Sequence, residues 1–223
     1  MDRCDFLPVS AEEMHERGWW WYDALVVGGD AYVDHPSFGT AVISRVLEAE
    51  GLRVAVLAQP DWHDAEAFRA MGRPRLGVFI GAGNLDSMVA HYTAAKRRRS
   101  EDFYSPGKRT GCRPDRAAIV YCNRAREAFG PDVPIILGSL EASLRRFAHY
   151  DYWDDSVRRA ILFDAPADLL VYGMGEAATI EIAHRLKKKQ SVHAMTDIPG
   201  TGYITRDPSV CKFDHITLPS FED

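Results

Sequence analysis

Ala24-Leu25-Val26-Val27-Gly28-Gly29-Asp30-Ala31-Tyr32-Val33-Asp34-His35 decides the fold. Four apolar residues without alternation have the pattern of a strand buried on both faces. Two glycines then turn the chain into a segment rich in acids. A helix pattern starts near Pro36, with Phe38, Val42, Val46 and Ala49 on one face and Gly51 as its stop.

The unit then repeats. Arg53 to Ala58 reads as a second strand, Leu76 to Ile80 as a third, Val133 to Leu137 as a fourth and Asp168 to Tyr172 as a fifth. Helix patterns lie near 63–71, 85–92, 114–129, 142–147, 155–163 and 176–189, the stripe Ala118, Cys122, Ala125 and Phe129 being the clearest. Strands alternating with helices predict βαβ units and a parallel sheet. The fold expected is α/β, a flavodoxin-like, doubly wound, mainly parallel five-stranded sheet with helices on both faces. Before it, Ser10-Ala11-Glu12-Glu13 is a capping box opening a short helix that Gly18 closes. The domain plan is an N-terminal helical extension over 1–19, the sheet domain over 20–190 with a basic excursion at 94–114, and a linker over 191–223. Leu218-Pro219-Ser220-Phe221-Glu222-Asp223 has the look of a helix start, so the chain is expected to be part of a longer protein.

The 223 residues carry 27 Lys+Arg and 32 Asp+Glu, a net charge of -5, which gives no global reason to expect nucleic acid. With 46% hydrophobic and 26% charged residues the chain is ordinary globular material, neither disordered nor disulfide-built. No apolar run approaches the ~20 residues of a membrane helix, and Met1-Asp2-Arg3-Cys4-Asp5 does not start a signal peptide. Cys4, Cys112, Cys122 and Cys211 include no C-x-x-C pair, so a zinc ribbon or a cysteine-ligated cluster is not expected. A cytoplasmic protein with reduced thiols follows.

Open α/β sheets bind ligands outside the carboxyl ends of their strands. Those ends are polar and Gly-rich here, and they supply the candidate contacts Asp30, Tyr32, Asp34, His35, Asn84, Asp86, Ser139, Glu141, Gly173, Gly175 and Glu176. Gly173-x-Gly175-x-x-Ala178 matches a dinucleotide fingerprint on paper, yet it follows the last strand, where turn geometry explains it better. Asp30, Asp34, His35, Asn84 and Asp86 are residue types of a hydrolytic metal pair, although the spacing of such motifs is not met. Asp34 and Ser37 as caps of the following helix are the simpler reading. Arg145-Arg146 and Arg158-Arg159 are candidates for contact with phosphate or a carboxylate, or face solvent. Lys96 to Arg116 holds eight basic against three acidic residues, a solvated loop or a surface for RNA or another anionic partner.

Gly29-Asp30-Ala31-Tyr32-Val33-Asp34-His35-Pro36-Ser37-Phe38-Gly39, Ala58-Gln59-Pro60-Asp61-Trp62, Ala82-Gly83-Asn84-Leu85-Asp86-Ser87-Met88, Arg113-Pro114-Asp115-Arg116 and the run from Glu141 to Trp153 occur in one order. Together they resemble the N-terminal region of the YgiQ-like family of uncharacterised bacterial radical SAM proteins, over residues 6–223. The resemblance implies a following radical SAM barrel as the chain's own partner, with a [4Fe-4S] cluster on a C-x-x-x-C-x-x-C loop that cleaves S-adenosylmethionine. That loop is absent from this sequence, so the chain is expected to be an accessory domain without catalysis of its own. The layout is also similar to cobalamin-binding domains that precede some radical SAM barrels, with Gly138-Ser139 and Gly173 to Glu176 resembling their last two strand ends. Their ligating D-x-H-x-x-G is not matched, since from Asp30 the His position holds Tyr32 and the Gly position His35. The resemblance leaves two readings, an empty or repurposed fold, which is favoured, and cobalamin bound without a His ligand. The functional expectation is a cofactor- or substrate-docking domain, with an RNA-binding module and a metal-dependent hydrolase as alternatives.

Overall fold

The computed structural model describes residues 6–222. The chain runs through α1 (Ala11–Glu16), β1 (Ala24–Gly28), α2 (Gly39–Ala49), β2 (Val54–Ala58), α3 (Glu66–Ala70), β3 (Gly77–Gly81), α4 (Ser87–His91), α5 (Ala117–Phe129), β4 (Ile135–Leu137), α6 (Ser139–Leu144), β5 (His149–Asp151), β6 (Ser156–Arg158), β7 (Leu169–Val171), α7 (Glu176–Lys187) and β8 (Thr201–Gly202). Six strands form the main sheet in the order β2-β1-β3-β4-β7-β8, and β5 and β6 form a separate antiparallel pair.

The first five strands of that order are parallel and in the flavodoxin-like 2-1-3-4-5 arrangement, with the switch of direction between β1 and β3. The α/β doubly wound architecture is thus as expected, with a sixth strand in place of five. β8 is antiparallel to β7, pairing Thr201 with Val171 and Gly202 with Leu170. Val192, Met195 and Ile198 just before it are buried in the core, so the first residues after 190 belong to the packed sheet. At the opposite edge the Val56 N–H donates to the Pro8 carbonyl at 2.9 Å.

Strand periodicity divides the core into two layers. Leu25, Val27, Val78, Ile80, Ile135 and Leu137 face α3 and α5, where Phe68, Tyr121, Cys122 and Phe129 are buried. Val26, Val54, Val56, Phe79, Ile136 and Leu169 face α2 and α7, meeting Leu47, Ile182 and Leu186. Burial pushes the Tyr121 hydroxyl and the Cys122 thiol well above their ordinary ranges. The α5 stripe is buried as read. On α2 the buried line is Ala41, Ser44 and Leu47, rotated from the apolar stripe expected, because small side chains let this helix sit close on the sheet.

Other local expectations change. α2 starts at Gly39 and its N-cap, Phe38, makes no side-chain cap bond. Neither Asp34 nor Ser37 caps it: the Gly39 N–H donates to Asn84 Oδ1 (3.2 Å), a cap supplied from the β3 end. Residues 155–163 are not a helix. They form β6, whose Ser156–Arg158 pairs with His149–Asp151, and a single 3₁₀ turn over Ile161–Phe163. The Ser10 cap is present, its Oγ accepting from the Glu13 N–H at 3.2 Å, but Glu13 reaches back to the Val9 N–H. At the C-terminus Ser220 Oγ accepts from the Glu222 N–H (3.2 Å) in a turn. The parts of the readings that fall on Cys4 and Asp223 lie outside the described residues. No helix among the described residues is long and apolar enough to cross a membrane.

Gly29 marks the tightest point of the β1 end, where a Cβ would lie 2.0 Å from the Ala82 carbonyl oxygen. That neighbour is backbone and cannot swing away. Gly29→Ala is therefore expected to cost about 1–3 kcal/mol of unfolding free energy, read by urea denaturation. A midpoint equal to that of the parent would show that the β1 and β3 ends have room to separate.

Candidate functional site

The site is built on the carboxyl ends of β1, β3, β4 and β7. Between them and the N-terminal turns of α2 and α7 lies a cleft of about 270 Å³. Its floor is apolar, with Val26, Phe79, Ile136 and Val171 from the strands and Ile43 from α2. Its rim is Gly39, Gly81, Gly138, Gly173 and Gly175 with Ser139, Met174 and Glu176. A Cβ on Gly39 or Gly173 would meet nothing within 4 Å, so at these positions backbone faces open space. The volume sits near the lower end of small-molecule sites, which run from ~300 Å³ upward. Polar groups are few: Thr40, Ser139, Glu176 and Thr179.

Beside the cleft a buried ionic network fixes the loops. Arg113 is wholly buried and lies between two carboxylates, Asp30 at 2.9 Å and Asp102 at 3.0 Å. Its Nε also donates to Asp102 Oδ2 and its Nη1 to the Ala82 carbonyl. Asp30 accepts the Asn84 N–H at 2.7 Å, tying the β1 end to the β3 end. Burial pushes the Asp30 carboxyl above its ordinary range, and Arg113 pulls against that shift. Gln59 joins the network by donating to the Gly29 carbonyl (2.9 Å) and to Ser105 Oγ (2.7 Å). The Ala31 N–H donates to the Tyr104 carbonyl at 2.8 Å.

The excursion over 94–114 is thereby stitched across the strand ends rather than held free. Several of its cations are engaged within the chain: Arg99 donates to the Val89 and Tyr92 carbonyls, Lys108 faces Glu101, and Lys96 sits over the Tyr152 ring. Just beyond it, Arg116 binds Asp151 and Asp154. Burial opposes ionisation of Asp151, yet Arg116 and the N–H groups of Asp154 and Trp153 hold its carboxyl below the ordinary range.

A second buried cluster underlies the β3 and β4 ends. Asp86 caps α4, accepting from the Met88 and Val89 N–H groups, and pairs with Arg145. Glu141 is fully buried and accepts from the Ser87 N–H (3.0 Å) and the Ala118 N–H (3.2 Å). Burial drives the Glu141 carboxyl upward, Asp86 adds to this, and Ser87 and Arg145 oppose it.

The expected contacts thus separate into groups. Ser139, Gly173, Gly175 and Glu176 line the cleft. Asp30, Asn84, Asp86 and Glu141 brace its walls from within. Asp34 is held by Arg45 and His35 is exposed, its Nδ1 accepting the Ser37 N–H. Tyr32 packs edge-on against Phe6, and its buried hydroxyl has no partner. Asp30, Asp34 and Asp86 each face a guanidinium, and no group of three His, Cys, Asp or Glu side chains able to hold a metal occurs among the described residues. Of the arginine pairs, Arg145 is spent on Asp86, and Arg158 and Arg159 on Asp164. Sequence reasoning did not single out Ile43 and Phe79, whose only signal was apolar periodicity, Thr40 and Thr179, which had none, or Arg113, which stood in a basic run and in the Arg113-Pro114-Asp115-Arg116 motif without an assigned role.

The family described as Radical SAM N-terminal matches residues 6–223. The chain is 55% identical over 223 residues to a UPF0313 protein of Clostridium botulinum (strain 657 / Type Ba4), covering all of this chain and 35% of that protein. It is 51% identical to a UPF0313 protein of Clostridium perfringens (strain 13 / Type A), again over all of this chain and 34% of the relative. The chain therefore spans about a third of the length of these curated relatives. Among solved structures, the radical S-adenosylmethionine methyltransferase TsrM from Kitasatospora setae, with cobalamin and a [4Fe-4S] cluster bound, shares the fold at a TM-score of 0.50 and 20% identity, over 82% of this chain and 27% of that one.

Two outcomes test the buried networks. Arg113→Met strands Asp30 and Asp102 without their shared cation and is expected to cost about 3–5 kcal/mol, read by urea unfolding. Glu141 keeps its proton to a higher pH folded than unfolded. The native state thus binds more protons between the unfolded value of about 4.3 and the raised native one, and unfolding free energy falls as pH rises through that window. In Glu141→Gln that part of the pH slope should vanish; an unchanged slope would mean that Glu141 ionises as it does in the unfolded chain.

Proposed function

The chain belongs to the Radical SAM N-terminal family, and from that premise we propose that it is the accessory docking domain of a longer radical SAM protein, holding a flat organic cofactor or substrate in the cleft at its strand ends. The carrying observation is that cleft: an apolar slot at the end of a doubly wound sheet, rimmed by glycine backbone, in a chain with no gathered metal-ligand set among its described residues.

The residues fit the groups associated with this family to different degrees. Cys112, Cys122 and Cys211, the described free cysteines, do not group, and Cys122 is buried on the core side of α5. They do not fit a [4Fe-4S] cluster, so cluster and S-adenosylmethionine chemistry are assigned to polypeptide beyond this chain. A corrinoid fits better. The cleft of about 270 Å³ would take one planar part of such a group and not the whole macrocycle: its apolar floor suits that part, open space over Gly39 and Gly173 leaves room outside for the rest, and Thr40, Ser139 and Glu176 offer hydrogen bonds at the rim. No histidine lines the cleft, so this chain would hold a corrinoid by shape and backbone contact without an imidazole ligand to cobalt. When bound, such a group would supply alkyl-transfer chemistry to a partner site. The chain's own residues would bind, orient and shield it from water.

The RNA-binding alternative has less support, because several of the excursion cations that would meet phosphate, Arg99, Lys108 and Arg113 among them, are engaged within the chain. The hydrolase alternative is weaker still, because its carboxylates are neutralised by arginines.

The test is retention of visible absorbance after anaerobic incubation with hydroxocobalamin and desalting. A stoichiometric coloured complex is expected. Gly39→Leu, a bulky substitution on the lining of the cleft, should weaken it at least about tenfold, or ~1.4 kcal/mol. The unfolding free energy from urea denaturation should stay within about 0.5 kcal/mol of the parent. A colourless protein fraction would eliminate the corrinoid and leave the cleft to a smaller apolar ligand.

A further inference from the structure

The β5–β6 pair is built inside out. Tyr150 and Val157 stand opposite each other across the pair, and both are 59% exposed. The next residue, Asp151, points inward and is buried against Arg116. A surface hairpin in a finished domain turns its apolar side to the core and its charges to water. Here the ionic side is inward, and outward stand Val157 and the Tyr150 ring, whose hydroxyl donates to Asp155. A lone two-stranded pair is also marginal by itself.

The outward side continues toward the cleft. Arg146 bridges the Phe147 ring (4.9 Å) and the Tyr172 ring (5.0 Å), so the end of α6 and the end of β7 share one surface. Ser143 Oγ accepts the Gly173 N–H at 3.2 Å, locking α6 beside the β7 turn, and the Ile161 N–H donates to the Arg145 carbonyl, pinning the exit of the hairpin to α6. Leu144 on α6 and Met174 on the rim complete the patch, Met174 at 92% exposure. Patches of this kind on soluble proteins mark interaction sites.

We propose that this face, from Leu144 and Phe147 through Tyr150 and Val157 to Tyr172 and Met174, is the seat of the additional polypeptide that the relatives carry. The occupant follows from two observations. The relatives are about three times as long as this chain, so roughly two-thirds of their length packs beyond it. The patch also runs into the cleft rim at Gly173 and Met174, so a domain seated there closes over any ligand. The inference rests on the chain being one domain of a longer protein, and it does not depend on what the cleft binds.

Hydroxyl-radical footprinting of the full-length protein, without added ligand, tests it. Rates at Tyr150, Tyr172 and Met174, corrected for intrinsic reactivity, are compared with Trp20 and Phe103, which are exposed elsewhere. The patch should label about tenfold more slowly, as residues in an interface core do. This protection should persist over about a hundredfold dilution, as a contact within one polypeptide must. In Tyr150→Ser/Val157→Ser, Met174 labelling should rise several-fold while Trp20 stays constant. Labelling of the patch at the rate of Trp20 would overturn the proposal. So would protection that disappears on dilution together with a dimer seen by sedimentation, which would assign the face to a second copy. A colourless protein in the corrinoid experiment would leave either footprint readable, so the two proposals fail separately.

Discussion

One buried guanidinium holds the strand ends together. Arg113 is enclosed between Asp30 at the β1 end and Asp102 in the excursion, and also donates to the Ala82 carbonyl at the β3 end. Two carboxylates and one cation leave a net negative charge in a desolvated place, a costly arrangement unless each oxygen finds a donor. Three of the four find one: the Asn84 N–H for Asp30 Oδ2, and the Tyr104 N–H and Ser105 hydroxyl for Asp102, while Asp30 Oδ1 has only the nearby Arg113 charge. The geometry is exacting, since a Cβ at Gly83 would fall 2.3 Å from Asp30 Oδ1. What is gained is position, because three segments distant in sequence are held in one arrangement beside the cleft.

The cleft is a consequence of the sheet topology. Strand order reverses between β1 and β3, and the cleft opens at the carboxyl ends of the strands there. α2 and α7 border that gap, packed on the same face of the sheet, and their first turns carry Gly39, Thr40, Gly175 and Glu176 to its mouth. Polar bracing lies behind the walls and apolar side chains line the floor. This division suits binding by shape more than acid–base chemistry, and it is consistent with a domain that presents a ligand to another active centre.

Legibility in the sequence followed the range of the interactions. The strands at 24–28, 54–58 and 77–81 were evident because burial on both faces leaves uninterrupted apolar runs, and α5 because its stripe repeats at helical spacing. Ser139, Gly173 and Glu176 could be singled out from their places after strands. The cap on α2 could not, since Asn84 supplies it from another βα unit. Nor could the β5–β6 pair: its alternation carries Tyr150 and Val157 outward and Asp151 inward, the reverse of what hydrophobic patterning assumes. Arg113 sat among surface-type cations, and only the fold reveals that two carboxylates distant in sequence converge on it.

Both borders of the main sheet are closed by the ends of the described chain. On the β2 side the Pro8 carbonyl receives the Val56 N–H, and on the far side the two residues of β8 pair with β7. Each closure is short, and each occupies backbone groups that would otherwise template another strand. Trimming either end for expression or crystallisation would do more than shorten the protein. It would bare a ladder of unpaired amides beside β-branched residues such as Val54, Val56 and Val171, and turn a self-contained sheet into one that can grow by accretion from neighbouring molecules.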